Sequence, residues 1–570
     1  MRRFRYEPAL YFLAFALALF VRLVKLGSLP LSDAEAVWAL QALGVAQGTR
    51  PLLGSQPAYI LLTSVVFYLL GAGTVFMARL VPALVGSALA LVPALFSSRL
   101  KPRPAVILAF LLALDPGLVA LSRQAGSGIL AVTFVLVAWG LWEDRHAAWA
   151  GVFAGLALMS GPAVWAGLLG LALTWGILQL VEQGWRNTAS PDAPEQVQPA
   201  ASDWWTAVAF AAGSIVVFGT LFFLAPNGLS AWASALSDYV TGWLKPSGVP
   251  AGLMLFSLVA YEPLAVILAI LVTLRGWIRG SLRIRRLSLW ALVALLVALF
   301  DPARQVSDLE WMLIPLWALA SLELARALNV RPEERLEVLG VAALTLVILV
   351  FIWLNFLGLL QAPVATEQNV LRTWLLFGSF FLLFISVMLV AVGWSLRAAR
   401  YGAVLGLTVA LGLYSIGVMA GAAGLRSIPG AAEMWSAGSN PPGAGLVLTT
   451  VDQISDWSKD NIDSQPVTIA GLDSPALRWL LRDHAVTVVP VLGASSAPPI
   501  IITPGGQNNP ALAARYRGQE LVWIQAPQWN QTGFADWFGW LGFHQILQNP
   551  QKVIVWVRDD LFLDASTSKP

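Results

Sequence analysis

The chain has 570 residues, of which 58% are hydrophobic and only 12% charged, with 26 Trp and 26 Phe. A soluble chain carries about 25% charged residues, and the apolar runs here are long enough to cross a bilayer, so a soluble protein is excluded. The formal charge of +3 then reports membrane orientation and gives no sign of nucleic-acid binding. There is no cysteine, which removes disulfides, thiolate metal sites and thiol nucleophiles.

Taken in chain order, Arg2, Arg3 and Arg5 precede a first apolar run from Pro8 to Leu26. Basic residues before a first span place the N-terminus in the cytoplasm. A long outer loop follows at 27–57, with a helix-like stretch at 32–47 lying along the membrane surface. Within it, Ser32-Asp33-Ala34-Glu35 has the form of a capping box, in which Ser32 and Glu35 satisfy each other's backbone amides at a helix start. Apolar runs recur at 57–71, 75–97, 105–122, 127–142, 147–160, 162–181, 204–224, 251–274, 287–300, 311–328, 337–360, 372–396 and 402–424. The basic clusters at 99–103, 275–286, 326–335 and 397–400 all fall on the cytoplasmic side if 57–71 does not fully cross. That gives about 13 spans in a transmembrane module over 1–424, with residues 182–203 as a polar cytoplasmic linker. A Gly- and Pro-rich linker at 425–444 then leads to an extracytoplasmic α/β domain at 445–570. Its strands are expected at 446–451, 467–470, 486–491, 500–503, 521–524 and 553–557, and its helices at 453–459, 475–483, 510–516 and 535–541.

The loop residues carry a resemblance. Ser32-Asp33-Ala34-Glu35-Ala36 after the first span, Gly54-Ser55-Gln56-Pro57, Gly71 through Ala78-Arg79-Leu80, Leu114-Asp115-Pro116 with Ser122-Arg123-Gln124-Ala125, and Asp301 to Pro315 stand in the order of the GT-C glycosyltransferase membrane module. The chain resembles the polyprenyl-phosphate-sugar-dependent members of that superfamily, which include protein O-mannosyltransferases and lipid A aminoarabinose transferases. Leu477 to Asp483 resembles part of the C-terminal domain of some prokaryotic members. The resemblance implies sugar transfer from a polyprenyl-phosphate-linked donor to a hydroxyl of a glycan, lipid or protein acceptor, on the outer face of a prokaryotic plasma membrane.

On that reading a carboxylate is needed to remove the acceptor's proton, and cations must hold the leaving lipid phosphate. Asp33 and Glu35 are the catalytic candidates. Arg123 and Arg304 are candidates for the phosphate, and Trp38, Tyr59 and Trp311 for lining a sugar or lipid site, so Asp33 and Arg123 should face one outward cavity. Several of the motif residues have a plainer alternative. Glu35 serves the capping box, Arg123 and Arg304 serve as interface anchors, Arg79 as a loop anchor and Asp115 as a turn residue.

The pattern also departs from the family. Ala34 separates the two acids, and Ser55 and Gly128 stand where relatives often have acids. No histidine lies in these loops, so a divalent metal is poorly supported and no cofactor is expected. Two other functions remain open on these residues: a catalytically degenerate scaffold that binds a glycan or partner, and a lipid-sugar transporter. The absence of a clear internal repeat weighs against the transporter.

Overall fold

The structure is a computed structural model that describes residues 6–186, 201–361, 367–426, 431–457, 465–506 and 512–563. It is an apolar helical bundle carrying a C-terminal five-stranded sheet, as expected of a multi-pass membrane protein with an α/β domain. Among the described residues five helices are long and apolar enough to cross a membrane unaided, and seven if each of two bent helix pairs counts as one span. Shorter apolar helices fill out the bundle, so the count of about 13 spans is matched only roughly. The Pro57–Leu70 helix has 14 residues, about 21 Å at 1.5 Å per residue, well short of a hydrocarbon core of about 30 Å.

Both bends fall at an acid followed by proline. Pro102–Leu114 and Pro116–Ser122 meet at 57° around Asp115, and Ala251–Tyr261 and Pro263–Ile278 meet at 92° around Glu262. Proline has no amide hydrogen to continue the upstream ladder and its ring crowds the preceding turn. At the first break Asp115 caps the new helix, accepting the Leu118 amide at 2.5 Å, and also takes the Trp317 indole N–H.

In the C-terminal sheet β1 (Val467–Ala470), β2 (Val486–Val489), β3 (Ile500–Pro504), β4 (Tyr516–Pro527) and β5 (Gln548–Arg558) lie in the order β2-β1-β3-β5-β4. β1 runs parallel to β2 and β3, while β5 runs antiparallel to β3 and β4. The apolar run Ile500-Ile501-Ile502 is fully buried, as a central strand covered on both faces should be.

Two expected elements differ. The stretch 446–451 belongs to a helix, Ala444–Trp457. Its β-branched residues suggested a strand, yet Val447, Val451 and Ile454 are buried while Leu446 is exposed, a helical spacing. The helix expected at 510–516 is also absent from its described part. Residues 512–515 are irregular and Tyr516 opens β4 opposite Arg558, while 510 and 511 lie outside the described residues. Most of the linker at 182–203, from 187 to 200, lies outside them too.

Candidate active site

The first loop folds as its capping box dictates. Ser32 Oγ accepts the Glu35 amide, and Glu35 Oε2 accepts the Ser32 amide at 3.0 Å, starting the Asp33–Ala46 helix. Glu35 is then taken further. The Arg79 guanidinium grips it with both arms, Nε to Oε1 at 2.7 Å and Nη2 to Oε2 at 2.8 Å, and the Ala125 amide donates to Oε1 at 2.9 Å. Burial opposes the charge on this carboxyl, but the Arg79 charge and these hydrogen bonds outweigh it and hold Glu35 below the usual carboxylate range. Arg79 spends its remaining donors on the carbonyls of Leu26, Leu29 and Pro30. It anchors the loop.

Asp33 points the other way, because residues two apart on a helix do not share a face. Its Oδ1 accepts the Ser474 hydroxyl at 2.7 Å and the Ala476 amide at 2.9 Å, at the start of the Pro475–Leu480 helix that follows β1. Oδ2 has no protein partner among the described residues, and the side chain is partly exposed.

Beside Glu35 opens a pocket of about 50 Å³ lined by Lys25, Ser28, Arg79, Arg123, Gln124 and Asn440 among others. Arg123 is 7% exposed. Its Nε donates to the Ala423 carbonyl, Nη1 to those of Val21, Arg22 and Val24, and Nη2 to that of Lys25, so one helix end is gathered onto another. Nη2 keeps one hydrogen uncommitted. Lys25 is exposed at a left-handed turn (φ 51°) after the first helix, and its ammonium has no partner among the described residues. The linker closes the roof, Asn440 donating to the Pro30 carbonyl at 2.6 Å and Gln124 to that of Trp435 at 2.5 Å.

Comparison with solved structures places this architecture. ArnT from Cupriavidus metallidurans bound to undecaprenyl phosphate aligns with a TM-score of 0.53 at 13% identity, over 96% of this chain and 98% of that one. The apo state of ArnT from the same organism aligns with a TM-score of 0.50 at 12% identity, over 98% of each chain. The chain has the GT-C fold. No family model matches the sequence, and no curated protein matches it.

The remaining candidates are dispersed. Tyr59 is fully buried and donates to the Ala78 carbonyl at 2.7 Å. Trp38 packs against Gly54, where a Cβ would lie 2.2 Å from its ring. Arg304 lies at the end of the Leu282–Phe300 helix, bonded to the carbonyls of Leu299, Asp301 and Val249. Trp311 donates to the Ala163 carbonyl at 2.9 Å and lines a second, smaller cavity with Asp301, Asp308 and Trp290.

One cavity therefore joins Glu35 to Arg123, while Asp33 does not line it; the expected pairing of Asp33 with Arg123 in a single cavity is not what forms. Among the described residues no three His, Asp or Glu side chains are placed to hold a metal ion. The sequence reading missed Lys25. Its only signal was a lone cation just past the first span, which topology rules absorb as a boundary marker.

Proposed function

We propose that the protein is a membrane glycosyltransferase that takes a sugar from a lipid-phosphate-linked donor and places it on an acceptor hydroxyl at the outer face. The observation that carries this reading is the pocket of Lys25, Arg79 and Arg123 beneath a loop-borne acidic helix start, in a GT-C fold. The solved relative was crystallised with undecaprenyl phosphate, which supports a lipid phosphate as the donor's carrier.

The two acids divide the work. Glu35, saturated by Arg79 and two backbone amides, is a weak base and holds the loop and the guanidinium in place. Asp33 has one oxygen pinned and one free, the arrangement a proton acceptor needs. The acceptor oxygen attacks the anomeric carbon, its proton passes to Asp33 Oδ2, and the bond from that carbon to the phosphate oxygen breaks. The lipid phosphate departs with the bonding pair, its charge met by Lys25 and the spare Nη2 hydrogen of Arg123. The acceptor enters along the seam with the C-terminal domain, and the donor from the pocket side.

Lys25→Gln, which removes the charge and shortens the side chain by one atom, is expected to weaken binding of undecaprenyl phosphate by at least about tenfold, since a hydrogen bond to a charged group contributes about 1.5–3 kcal/mol. Native mass spectrometry of the purified protein checks this, and unchanged affinity removes the pocket from the donor site. A scaffold without catalysis is the second reading. It is favoured by one observation, that protein donors occupy both acids; a wild-type protein that binds the lipid yet transfers nothing selects it.

A further inference from the structure

Four helices begin at one end of the bundle: Pro57–Leu70, Gly128–Glu143, Pro162–Arg186 and Glu310–Ala327. The starts are tied together. The Ser127 amide donates to Gln56 Oε1 at 3.1 Å, the Ser127 hydroxyl to the Ser160 carbonyl at 2.6 Å, the Ala58 amide to the Met159 carbonyl at 3.0 Å, and the Trp311 indole to the Ala163 carbonyl. Since Ser127 turns its hydroxyl to Ser160, the Gly128–Glu143 helix starts without a side-chain cap. Helix starts carry partial positive charge, and four together make a place where negative charge is stabilised.

Glu310 sits there, 2% exposed. Its loop holds three acids, and two are committed to turns: Asp301 accepts the Ala303 amide at 2.9 Å and Asp308 the Gln305 amide at 2.7 Å. Among the described residues the Glu310 carboxylate takes no hydrogen bond and no ion pair, and its Oε2 is a buried acceptor without a donor. Leaving such a group without a donor is costly, so its retention asks for a reason. The neighbouring wall explains how a ligand reaches it. A Cβ at Gly128 would lie 3.1 Å from Oε2 and 3.6 Å from Oε1, so glycine keeps a side chain from closing over the carboxylate on that side. Gly128 and Gly126 are both partly exposed, and a Cβ at Gly126 would meet nothing nearer than Gln56 Oε1 at 3.8 Å. The same short segment carries the Ala125 amide that holds Glu35 and the Arg123 guanidinium of the pocket. Ala125 and Gly128 are three positions apart, at most about 10 Å. That is the scale of one sugar ring with its substituents.

We infer that Glu310 and the glycine-walled space against Gly126 and Gly128 form a subsite for a hydroxyl of the transferred sugar, with Gln56 as a second polar contact. This rests on the proposed sugar-transfer reading and names where the sugar is held. The ligand is a neutral hydrogen-bond donor. A metal ion is disfavoured because no second and third acid converge, and the surrounding helix starts repel a cation. A hydroxyl satisfies the orphaned oxygen without adding charge.

The test measures lipid binding rather than turnover. Purified wild-type protein in nanodiscs is titrated with bare undecaprenyl phosphate and with undecaprenyl phosphates carrying glucose, mannose or arabinose. The wild type is expected to favour at least one sugar-bearing lipid over the bare one by about tenfold, the upper range for one buried hydrogen bond. Glu310→Gln should lose most of that preference and keep its affinity for the bare lipid, which also shows that it is folded. Gly128→Ala, which pushes a methyl against Oε2 while residue 310 stays glutamate, should do the same. Equal binding of bare and sugar-bearing lipids by the wild type, or a preference that survives in both variants, overturns the subsite. Failure of the wider reading looks different: the sugar preference is present and sensitive to residue 310, but no sugar is ever transferred.

Discussion

Asp33→Asn is expected to abolish sugar transfer while leaving the protein folded and able to bind its lipid. An amide oxygen accepts the Ser474 hydroxyl and the Ala476 amide as the carboxylate Oδ1 does, so the seam between the loop and the C-terminal domain survives. What disappears is the basicity of the free oxygen. A positioned general base contributes about 10²–10⁴ in rate, and the loss should fall on kcat with the donor's KM little changed. Initial rates with purified wild-type and variant protein measure it. Retention of more than about a tenth of wild-type activity takes Asp33 out of the chemistry.

The second large effect is on stability. Arg79→Met strips the buried Glu35 of its bidentate partner, and the carbonyls of Leu26, Leu29 and Pro30 each lose a donor in the same stroke, Pro30 keeping Asn440. Removing one member of a buried ion pair costs about 3–5 kcal/mol, mainly through the charge left behind. Thermal unfolding in detergent should show the largest drop among single variants of this loop. The same pair sets an acid limit. Glu35 is held below its ordinary range in the folded protein, so its contribution is present above the unfolded carboxyl's pKa of about 4.3 and fades as pH falls through the lower folded value. Wild-type protein should therefore lose stability below about pH 4, and Arg79→Met should lose that part of the acid dependence. A variant that melts with the wild type at every pH refutes the anchoring role.

How far the sequence carries the account differs from residue to residue. Ser32 and Glu35 are three apart and satisfy each other locally, so the capping box was legible at once. Arg79 as a loop anchor was legible too, because a cation in the first turns of an apolar run is most cheaply placed by reaching back to the loop before it. Its partner was not, since 44 positions separate Arg79 from Glu35 and no local pattern links them. The same limit hid the fate of Arg123 and Arg304. Both were legible as cations near span ends, and both turn most of their donors to backbone carbonyls that only the packed bundle brings within reach. Asp33 was legible as an unusual acid at a helix start. That its first partner lies 441 residues away in the C-terminal domain was not. Glu310 shows the converse case. In sequence it is one more acid at the start of an apolar run, favoured there by the helix dipole. Only the absence of a side chain at Gly128, on another helix, gives it a different meaning.

The most direct test of outer-face sugar transfer is mass spectrometry of envelope glycans and polyprenyl-phosphate sugars, comparing cells that lack the protein with cells that express it. Sugar transfer predicts one glycan modification present only in the expressing cells, and a matching polyprenyl-phosphate sugar that accumulates when the protein is missing. Identical glycans and lipid-linked sugars in the two cell populations contradict it.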